Sequence, residues 1–255
     1  MIGVSAGLAS ENFNVITTTF APFQTMRCCE QIKVNLGYME ERVTMIGLAS
    51  GLILGNLGFT HCCIEDIGVL RSIPNLNIIS PADSLETIKS IEASLHSKKS
   101  TYIRVTGGPN NPIIYESDYK FEIGKSITLK KGNDVTLFGS GAILENCMIA
   151  AKALEEKKIS TGVVNMHTIK PIDKDAILNA AEKSKLIVTV EEHNIIGGLG
   201  SAVSEVLSNI RNSPKQLTIG INDSYTKSGS YKYLKNYYRL TSEKILEDVQ
   251  ILLNE

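Results

Sequence analysis

Short apolar runs alternate with amphipathic stretches along most of this 255-residue chain, and this alternation limits the fold more than any other feature. The predicted strands are residues 14–18, 43–49, 76–79, 101–105, 135–138, 160–165, 186–191 and 217–221. The predicted helices are residues 1–9, 23–36, 64–73, 85–95, 142–156, 174–183, 201–210 and 242–253. Such alternation with short connections is typical of parallel sheets covered on both faces by helices. The sequence therefore predicts an α/β protein with right-handed crossovers.

The alternation stops once, near the middle of the chain. Residues 106–112 read TGGPNNP, which is turn chemistry, and a stretch of weak periodicity follows. We therefore predict two units, residues 1–106 and 123–255, joined by a linker at 107–122. Each unit is expected to be a mostly parallel sheet covered by helices.

The composition argues against several classes of partner. Lysine plus arginine number 26 and aspartate plus glutamate 27, for a net charge of -1, which gives no basis for binding nucleic acid or an anionic membrane. The most apolar stretch, residues 43–59, is interrupted by glycines and is predicted to be a strand and a loop rather than a membrane span. The N-terminus lacks the basic start of a signal peptide, so a cytoplasmic protein is expected.

The cysteines do not form a recognisable metal or redox motif. They are Cys28, Cys29, Cys62, Cys63 and Cys147, an odd number without C-x-x-C spacing. Neither a zinc knuckle nor a thioredoxin-like motif is therefore supported. Buried free thiols in a reducing compartment are the expected state.

Four segments spread across the chain carry motifs. They read GVSAGLA at 3–9, TTFAPF at 18–23 with RCCEQ at 27–31, GNLGFTH at 55–61 with IED at 64–66 and LRSIPN at 70–75, and EEHN at 191–194 with GGLG at 197–200. In this order they resemble the transketolase family in its broad sense, which includes 1-deoxyxylulose-5-phosphate synthase and the C-terminal sections of split transketolases. The resemblance implies a thiamine-diphosphate pyrimidine-binding fold followed by a transketolase C-terminal-domain-like fold.

The same resemblance implies an activity that is divided between two chains. Transketolases use thiamine diphosphate to transfer a two-carbon ketol unit between sugars. This sequence has no G-D-G motif followed by a metal-binding asparagine, so an N-terminal transketolase-section subunit is expected to hold Mg²⁺ and the diphosphate. A homodimer or heterotetramer acting on a sugar or modified sugar is expected, with neither nucleic acid nor a membrane as partner.

The candidate cofactor and catalytic residues lie in the second and third segments. Phe20 and Phe23 would form the slot for the aminopyrimidine ring at a strand end, although ordinary core positions are the alternative. By resemblance Arg27 lies near the cofactor pocket, but a helical pair with Glu30 would explain it equally well. His61 ends a glycine-rich loop and is the candidate catalytic residue, since an imidazole can donate to a substrate oxygen or shuttle a proton. A loop histidine bonded to the backbone is the alternative.

Three other motif residues are interpreted as structural. Glu65 and Asp66 begin a helix, where carboxylates offset the helix dipole, and we assign them no chemistry. By resemblance His193 packs in the second unit, close to a dimer contact.

The chain departs from the family pattern in ways that affect both cofactor and substrate. The family's G-x-A-E-Q motif, whose glutamate drives ylide formation, precedes the first segment, and that glutamate has no counterpart among residues 1–255. The segment around His61 differs from the family's G-E-D-G-P-T-H-Q at Asn56, Leu57, Phe59 and Cys62. Thr106, Gly107 and Gly108 stand where the family often has an arginine that grips a sugar phosphate. We therefore predict a substrate other than the usual pentose phosphates, such as a modified or nucleotide-linked sugar.

Two other functions remain open at this point. A chain that lacks the activating glutamate would suit a non-catalytic assembly or regulatory subunit. The β subunit of a 2-oxo-acid dehydrogenase shares both kinds of domain, and decarboxylation of pyruvate by the assembled enzyme would favour it.

Overall fold

The computed structural model describes residues 1–108 and 110–254. Its helices are α1 (Ile2–Ser10), α2 (Ala21–Gln24), α3 (Cys29–Gln31), α4 (Asp66–Arg71), α5 (Ser84–Leu95), α6 (Leu144–Glu156), α7 (Lys174–Lys183), α8 (Leu199–Leu207), α9 (Tyr231–Tyr237) and α10 (Ser242–Leu253). A π-helical segment covers Ile32–Tyr38, and 3₁₀ turns cover Met26–Cys28, Gly55–Leu57 and Gly141–Ile143. Within these described residues, no helix combines the length and apolar character needed to cross a membrane.

The strands form two five-stranded sheets. They are β1 (Val15–Phe20), β2 (Val43–Ser50), β3 (Leu76–Ile79), β4 (Ser100–Thr106), β5 (Ile127–Lys130), β6 (Val135–Gly139), β7 (Thr161–Asn165), β8 (Thr168–Lys170), β9 (Leu186–Asn194) and β10 (Lys215–Ile221). The first sheet has the order β1-β2-β4-β3-β8 and the second β10-β9-β6-β7-β5. The pairings are parallel except at the edge strands β8 and β5, which run antiparallel to their neighbours. The predicted α/β class is confirmed.

The helix predicted for residues 23–36 is wrong as one element. The structure has α2, a 3₁₀ turn, α3 and the π-helical segment in succession. Thr25 separates the first two with φ -110° and ψ -82°, and its fully buried hydroxyl donates to the carbonyl of Ala21 at 2.7 Å. A buried hydroxyl has to find a hydrogen-bond partner, which helical periodicity in the sequence does not reveal.

Strand β8 connects the two halves of the chain and was not predicted, because three residues are too few to show a period. It follows β7 through Met166 and His167 and pairs with β3. The backbone N–H of Ser80 donates to the carbonyl of His167 at 2.7 Å. One hydrophobic cluster contains Met45 from the first sheet and Val164 from the second. The two sheets therefore share part of one core.

The cysteines are free thiols, as predicted, but not all are buried. Cys62, Cys63 and Cys147 are buried, whereas Cys28 and Cys29 are partly exposed. The prediction of burial is wrong for this second pair, because the broken helical segment after Thr25 lies partly against solvent.

A buried ion pair lies between the two sheets. Arg104, on β4, is 1% exposed, and its Nε donates to both carboxylate oxygens of Asp66 at 3.0 and 2.9 Å. Its Nη2 donates to the carbonyl oxygens of Cys63 and Glu192 at 3.1 and 2.8 Å. Tyr102 donates to the same carboxylate at 2.7 Å. The guanidinium therefore neutralises the buried charge of Asp66. Because Glu192 belongs to β9, the guanidinium also connects the two halves of the chain.

Replacing Arg104 with methionine should strongly destabilise the folded chain. Methionine leaves the carboxylate of Asp66 buried without its counter-charge, which should lower the free energy of unfolding by about 3–5 kcal/mol. Urea titration of Arg104→Met and wild type measures the loss, with Arg211→Met, at an exposed position, as the matched control. A loss no larger than that of the control would contradict this role.

The acid sensitivity of the fold should come partly from His167. This side chain is 1% exposed and stacks on Phe121 with 4.3 Å between ring centroids, and burial lowers its pKa to about 4. The unfolded chain takes up this proton below about pH 6.5, while the folded chain resists it. The free energy of unfolding should therefore fall as the pH drops from about 6.5 to about 4, and less so in His167→Gln. Urea titrations at several pH values in this range measure the free energy of unfolding of wild type and of His167→Gln. The free energy of unfolding of wild type should fall more steeply as the pH drops, and equal slopes would contradict the role of His167.

Candidate active site

Two phenylalanines and a histidine gather at one end of the first sheet. Phe20 is the last residue of β1, Phe23 lies in α2, and His61 lies in the connection between β2 and α4. The ring centroids are 6.3 Å apart for Phe20 and Phe23, 6.4 Å for Phe20 and His61, and 5.4 Å for Phe23 and His61. All three contacts are edge-to-face. Residues chosen from two separate motifs therefore share one surface.

The local backbone explains why both phenylalanines reach this surface. Strands β1 and β2 pair in parallel, with Phe20 opposite Leu48, so both deliver their carboxyl ends to the same edge. Pro22 occupies the first turn of α2, where its missing N–H is no loss. Helix α2 therefore begins immediately after the strand and brings Phe23 back beside Phe20.

His61 belongs to a compact loop, residues 52–62, which we call the His61 loop. Gly51 and Cys63 close its base through reciprocal backbone hydrogen bonds of 2.8 and 3.0 Å. Within the loop, Gly58 has a φ of +81°, a conformation that suits glycine, and its carbonyl accepts from the N–H of His61 at 3.0 Å. Compact loops with closed ends are frequently functional.

One nitrogen of the His61 ring has a neighbour within the loop. Its Nδ1 lies 3.0 Å from the hydroxyl oxygen of Thr60. The opposite ring nitrogen, Nε2, is then the atom suited to exchange a proton with a bound molecule.

Arg27 extends the same surface. Its guanidinium carbon lies 4.0 Å from the centre of the Phe23 ring, a cation–π contact. The four candidate residues of the sequence analysis, Phe20, Phe23, Arg27 and His61, are thus neighbours in space.

This surface has the properties of half a site for a flat heterocycle with a polar edge. Phe20 and Leu48 are each 40% exposed, although both are large apolar side chains near the carboxyl ends of parallel strands. The exposed rings, with the guanidinium of Arg27 over Phe23, would suit a flat heterocyclic ring that carries a polar edge. A second surface is needed to enclose such a ring.

The structure adds contacts to the structural role predicted for Asp66. This residue begins α4, as predicted, and it is also fully buried and binds Arg104 and Tyr102, which the sequence analysis did not predict. A signal was present in the sequence: an arginine within a predicted buried strand needs a buried acidic partner.

The buried polar network continues into the second sheet. Glu191 accepts from the backbone N–H groups of Leu199 and Gly200 at 2.6 and 2.8 Å, and burial raises its pKa to about 7. Burial lowers the pKa of His193 to about 4. Because the Nε2 of His193 accepts from the N–H of Gly68 at 3.3 Å, its imidazole is neutral. His193 is therefore a structural contact between the two halves of the chain.

Comparison with known protein families divides the chain in two. Residues 1–108 match the transketolase pyrimidine binding domain, and residues 124–245 match the transketolase C-terminal domain.

Individual relatives match over nearly the whole chain. A subunit of the apulose-4-phosphate transketolase of Phocaeicola vulgatus is 38% identical over 245 residues, which cover 96% of this chain and 78% of the relative. A 6-deoxy-6-sulfo-D-fructose transketolase subunit of a Clostridium species is 35% identical over 247 residues, which cover 96% of this chain and 76% of the relative. A solved structure described as a split gene transketolase, inactive beta4 tetramer, superimposes with a TM-score of 0.92 at 33% identity and covers 99% of this chain and 80% of its own. The chain therefore belongs to the transketolase family, of which it contains the pyrimidine-binding and C-terminal domains.

Proposed function

We propose that this chain is the C-terminal subunit of a transketolase-like enzyme that transfers a two-carbon ketol unit between sugars with thiamine diphosphate. The observation that supports this most directly is the meeting of Phe20, Phe23 and His61 at the carboxyl ends of β1 and β2. Membership of the family implies thiamine diphosphate, and exposed aromatic rings beside a histidine suit its aminopyrimidine ring.

Phe20 and Phe23 would hold the aminopyrimidine ring, with Arg27 beside them. Their apolar rings would exclude water and limit the orientations open to a planar heterocycle. When bound, thiamine diphosphate supplies the carbanion chemistry at a substrate carbonyl. The carboxylate that the family uses to activate it would come from outside residues 1–255.

His61 would hold or deliver a proton at a substrate oxygen. The closed base of the His61 loop fixes its backbone, and the contact of Nδ1 with Thr60 leaves Nε2 for the substrate. A positioned imidazole of this kind contributes to rate only when it lies within hydrogen-bond reach of the reacting group.

An N-terminal partner subunit would supply Mg²⁺, the diphosphate site and the rest of the enclosure. The exposed aromatic surface needs such a cover, and α1 is apolar on its outer side, where Val4 is 71% and Leu8 46% exposed. Apolar side chains that are exposed one helical turn apart, as Val4 and Leu8 are, would suit a contact with another subunit. The split gene relative described as an inactive beta4 tetramer is consistent with a β-type subunit that requires its partner. A homodimer of such pairs, a heterotetramer, is the assembly we propose.

The substrate would be a sugar other than the usual pentose phosphates. After β4, the side-chain amide of Asn111 donates to the carbonyl of Thr106 at 2.9 Å, and it lies where a Cβ on Gly107 would stand. A neutral amide fills this place, where the family often has a phosphate-binding arginine. The two relatives named above carry different sugars in their names, which supports variation of the sugar within the family. Tight binding and efficient turnover of xylulose 5-phosphate by the complete complex would refute the proposal that the substrate is another sugar.

Removal of either phenyl ring should weaken cofactor binding by the complex with the N-terminal partner. In Phe20→Ala and Phe23→Ala the dissociation constant for thiamine diphosphate with Mg²⁺ should rise about tenfold, because an aromatic contact is lost. Isothermal titration calorimetry measures this. Phe13→Ala is the matched control, since Phe13 is exposed beyond the opposite end of β1. Unchanged binding of thiamine diphosphate in both ring variants would exclude this surface as the site of its aminopyrimidine ring. Binding of thiamine diphosphate by the isolated chain would contradict the proposal that the partner subunit holds the diphosphate.

Replacement of His61 should impair turnover more than cofactor binding. The complex that carries His61→Ala should lose at least about 100-fold in kcat for ketol transfer, because general acid–base catalysis contributes at least that factor. A coupled assay with a panel of ketose donors measures it, and His96→Ala provides an exposed-histidine control. A complex that transfers no ketol unit from any donor, yet binds the cofactor, would favour the non-catalytic role.

A further inference from the structure

The His61 loop rests on the second half of the chain. The backbone N–H of Gly229 donates to the carbonyl of Gly55 at 3.0 Å. A Cβ on Gly55 would lie 2.1 Å from Cδ1 of Leu234, so this close approach requires glycine. Farther along the loop, Phe59 packs on Tyr225 with 5.1 Å between ring centroids. The His61 loop therefore packs against the C-terminal domain.

One buried carboxylate holds the base of the loop. Glu192, on β9, is 2% exposed, and its Oε1 accepts from the backbone N–H of Leu52 at 2.6 Å. Its Oε2 accepts from the hydroxyl of Tyr231, on α9, at 2.6 Å. A Cβ on Gly51 would lie 2.3 Å from Oε1 of Glu192, so the backbone fits closely around the carboxylate.

A short path leads from this carboxylate to the imidazole. Leu52 follows Gly51, and Gly51 exchanges two backbone hydrogen bonds with Cys63. Cys63 is fully buried and stands two residues after His61 in the sequence. Because the interior around this base is closely packed, a displacement of Leu52 has to be shared by Gly51 and by Cys63, to which Gly51 is hydrogen-bonded.

We propose that Tyr231, acting through Glu192, is a positioning residue for His61. The proposal rests on the proposed function only where it treats His61 as the catalytic residue. The phenol hydroxyl fixes the orientation of the Glu192 carboxylate, and the carboxylate fixes the start of the His61 loop. Hydrogen bonds to a buried charged group are strong, and a lost donor leaves an acceptor that must rearrange. The C-terminal domain would then shape the site without touching the substrate.

Nuclear magnetic resonance of the histidine-labelled full chain tests the coupling without any need for activity. The chain has four histidines, and His61→Ala assigns the His61 ring signals by their disappearance. Tyr231→Phe removes only a hydroxyl and should shift those signals, while the signals of exposed His96 stay in place. Tyr233→Phe, at a half-exposed position on the same helix, is the matched control and should shift neither. His61 signals in Tyr231→Phe that superimpose on those of wild type would overturn the proposal.

Kinetics of the complete complex distinguish positioning from general stability. Tyr231→Phe should lower kcat about tenfold with little change in KM, and it should add little to the loss already caused by His61→Ala. If Tyr231→Phe lowered kcat by the same factor in the wild-type background and in the His61→Ala background, the proposal would be overturned. Full activity in His61→Ala would instead defeat the catalytic role of His61, and the resonance shifts would still decide whether Tyr231 positions that ring.

Discussion

Much of this molecule depends on one buried guanidinium. Arg104 binds the carboxylate that begins α4, the carbonyl of Cys63 at the base of the His61 loop, and the carbonyl of Glu192 in the other sheet. Only a planar fork of several N–H donors can satisfy acceptors in these different directions, which is a property of arginine and not of lysine. The pair would be too costly to bury without this complete set of partners. Through it, the domain that carries Phe20, Phe23 and His61 and the domain that carries Glu192 are held in one arrangement.

The two domains contribute to the candidate site in different ways. The first provides the side chains that would meet cofactor and substrate, at the carboxyl edge of its parallel strands. The second provides a floor for the His61 loop, and glycines allow the two backbones to approach within hydrogen-bond distance. The surface remains open on one side, which is consistent with a site that a partner subunit completes. In an enzyme divided between two chains, the position of the His61 imidazole would then depend on contacts within this chain, between the His61 loop and the C-terminal domain.

The errors of the sequence analysis have a common origin. The strand and helix pattern was largely right, because most elements are long enough to show their own period. Strand β8 has three residues and depends on pairing with β3, and the helix predicted over 23–36 breaks where the hydroxyl of Thr25 is buried. Asp66 was interpreted as a helix-start carboxylate, since nothing next to it in the sequence shows that Arg104 faces it. Phe20, Phe23 and His61 could be grouped in advance only because they lie in motifs that resemble those of a known family.

By itself, the sequence determined the α/β class, the positions of most strands and helices, and the side chains that could form an aromatic slot and a proton-transfer group. The elements follow from local periodicity and turn chemistry, which are properties of short segments, and the candidate side chains follow from the resemblance of their motifs to a known family. Only the tertiary structure decided that β8 joins the first sheet although it comes from the second half of the chain, that Arg104 and Asp66 form a buried pair, and that Glu192 holds the base of the His61 loop. Leu52 and Glu192 are 140 residues apart in the chain, and a hydrogen bond between them exists only because both sheets are packed against each other.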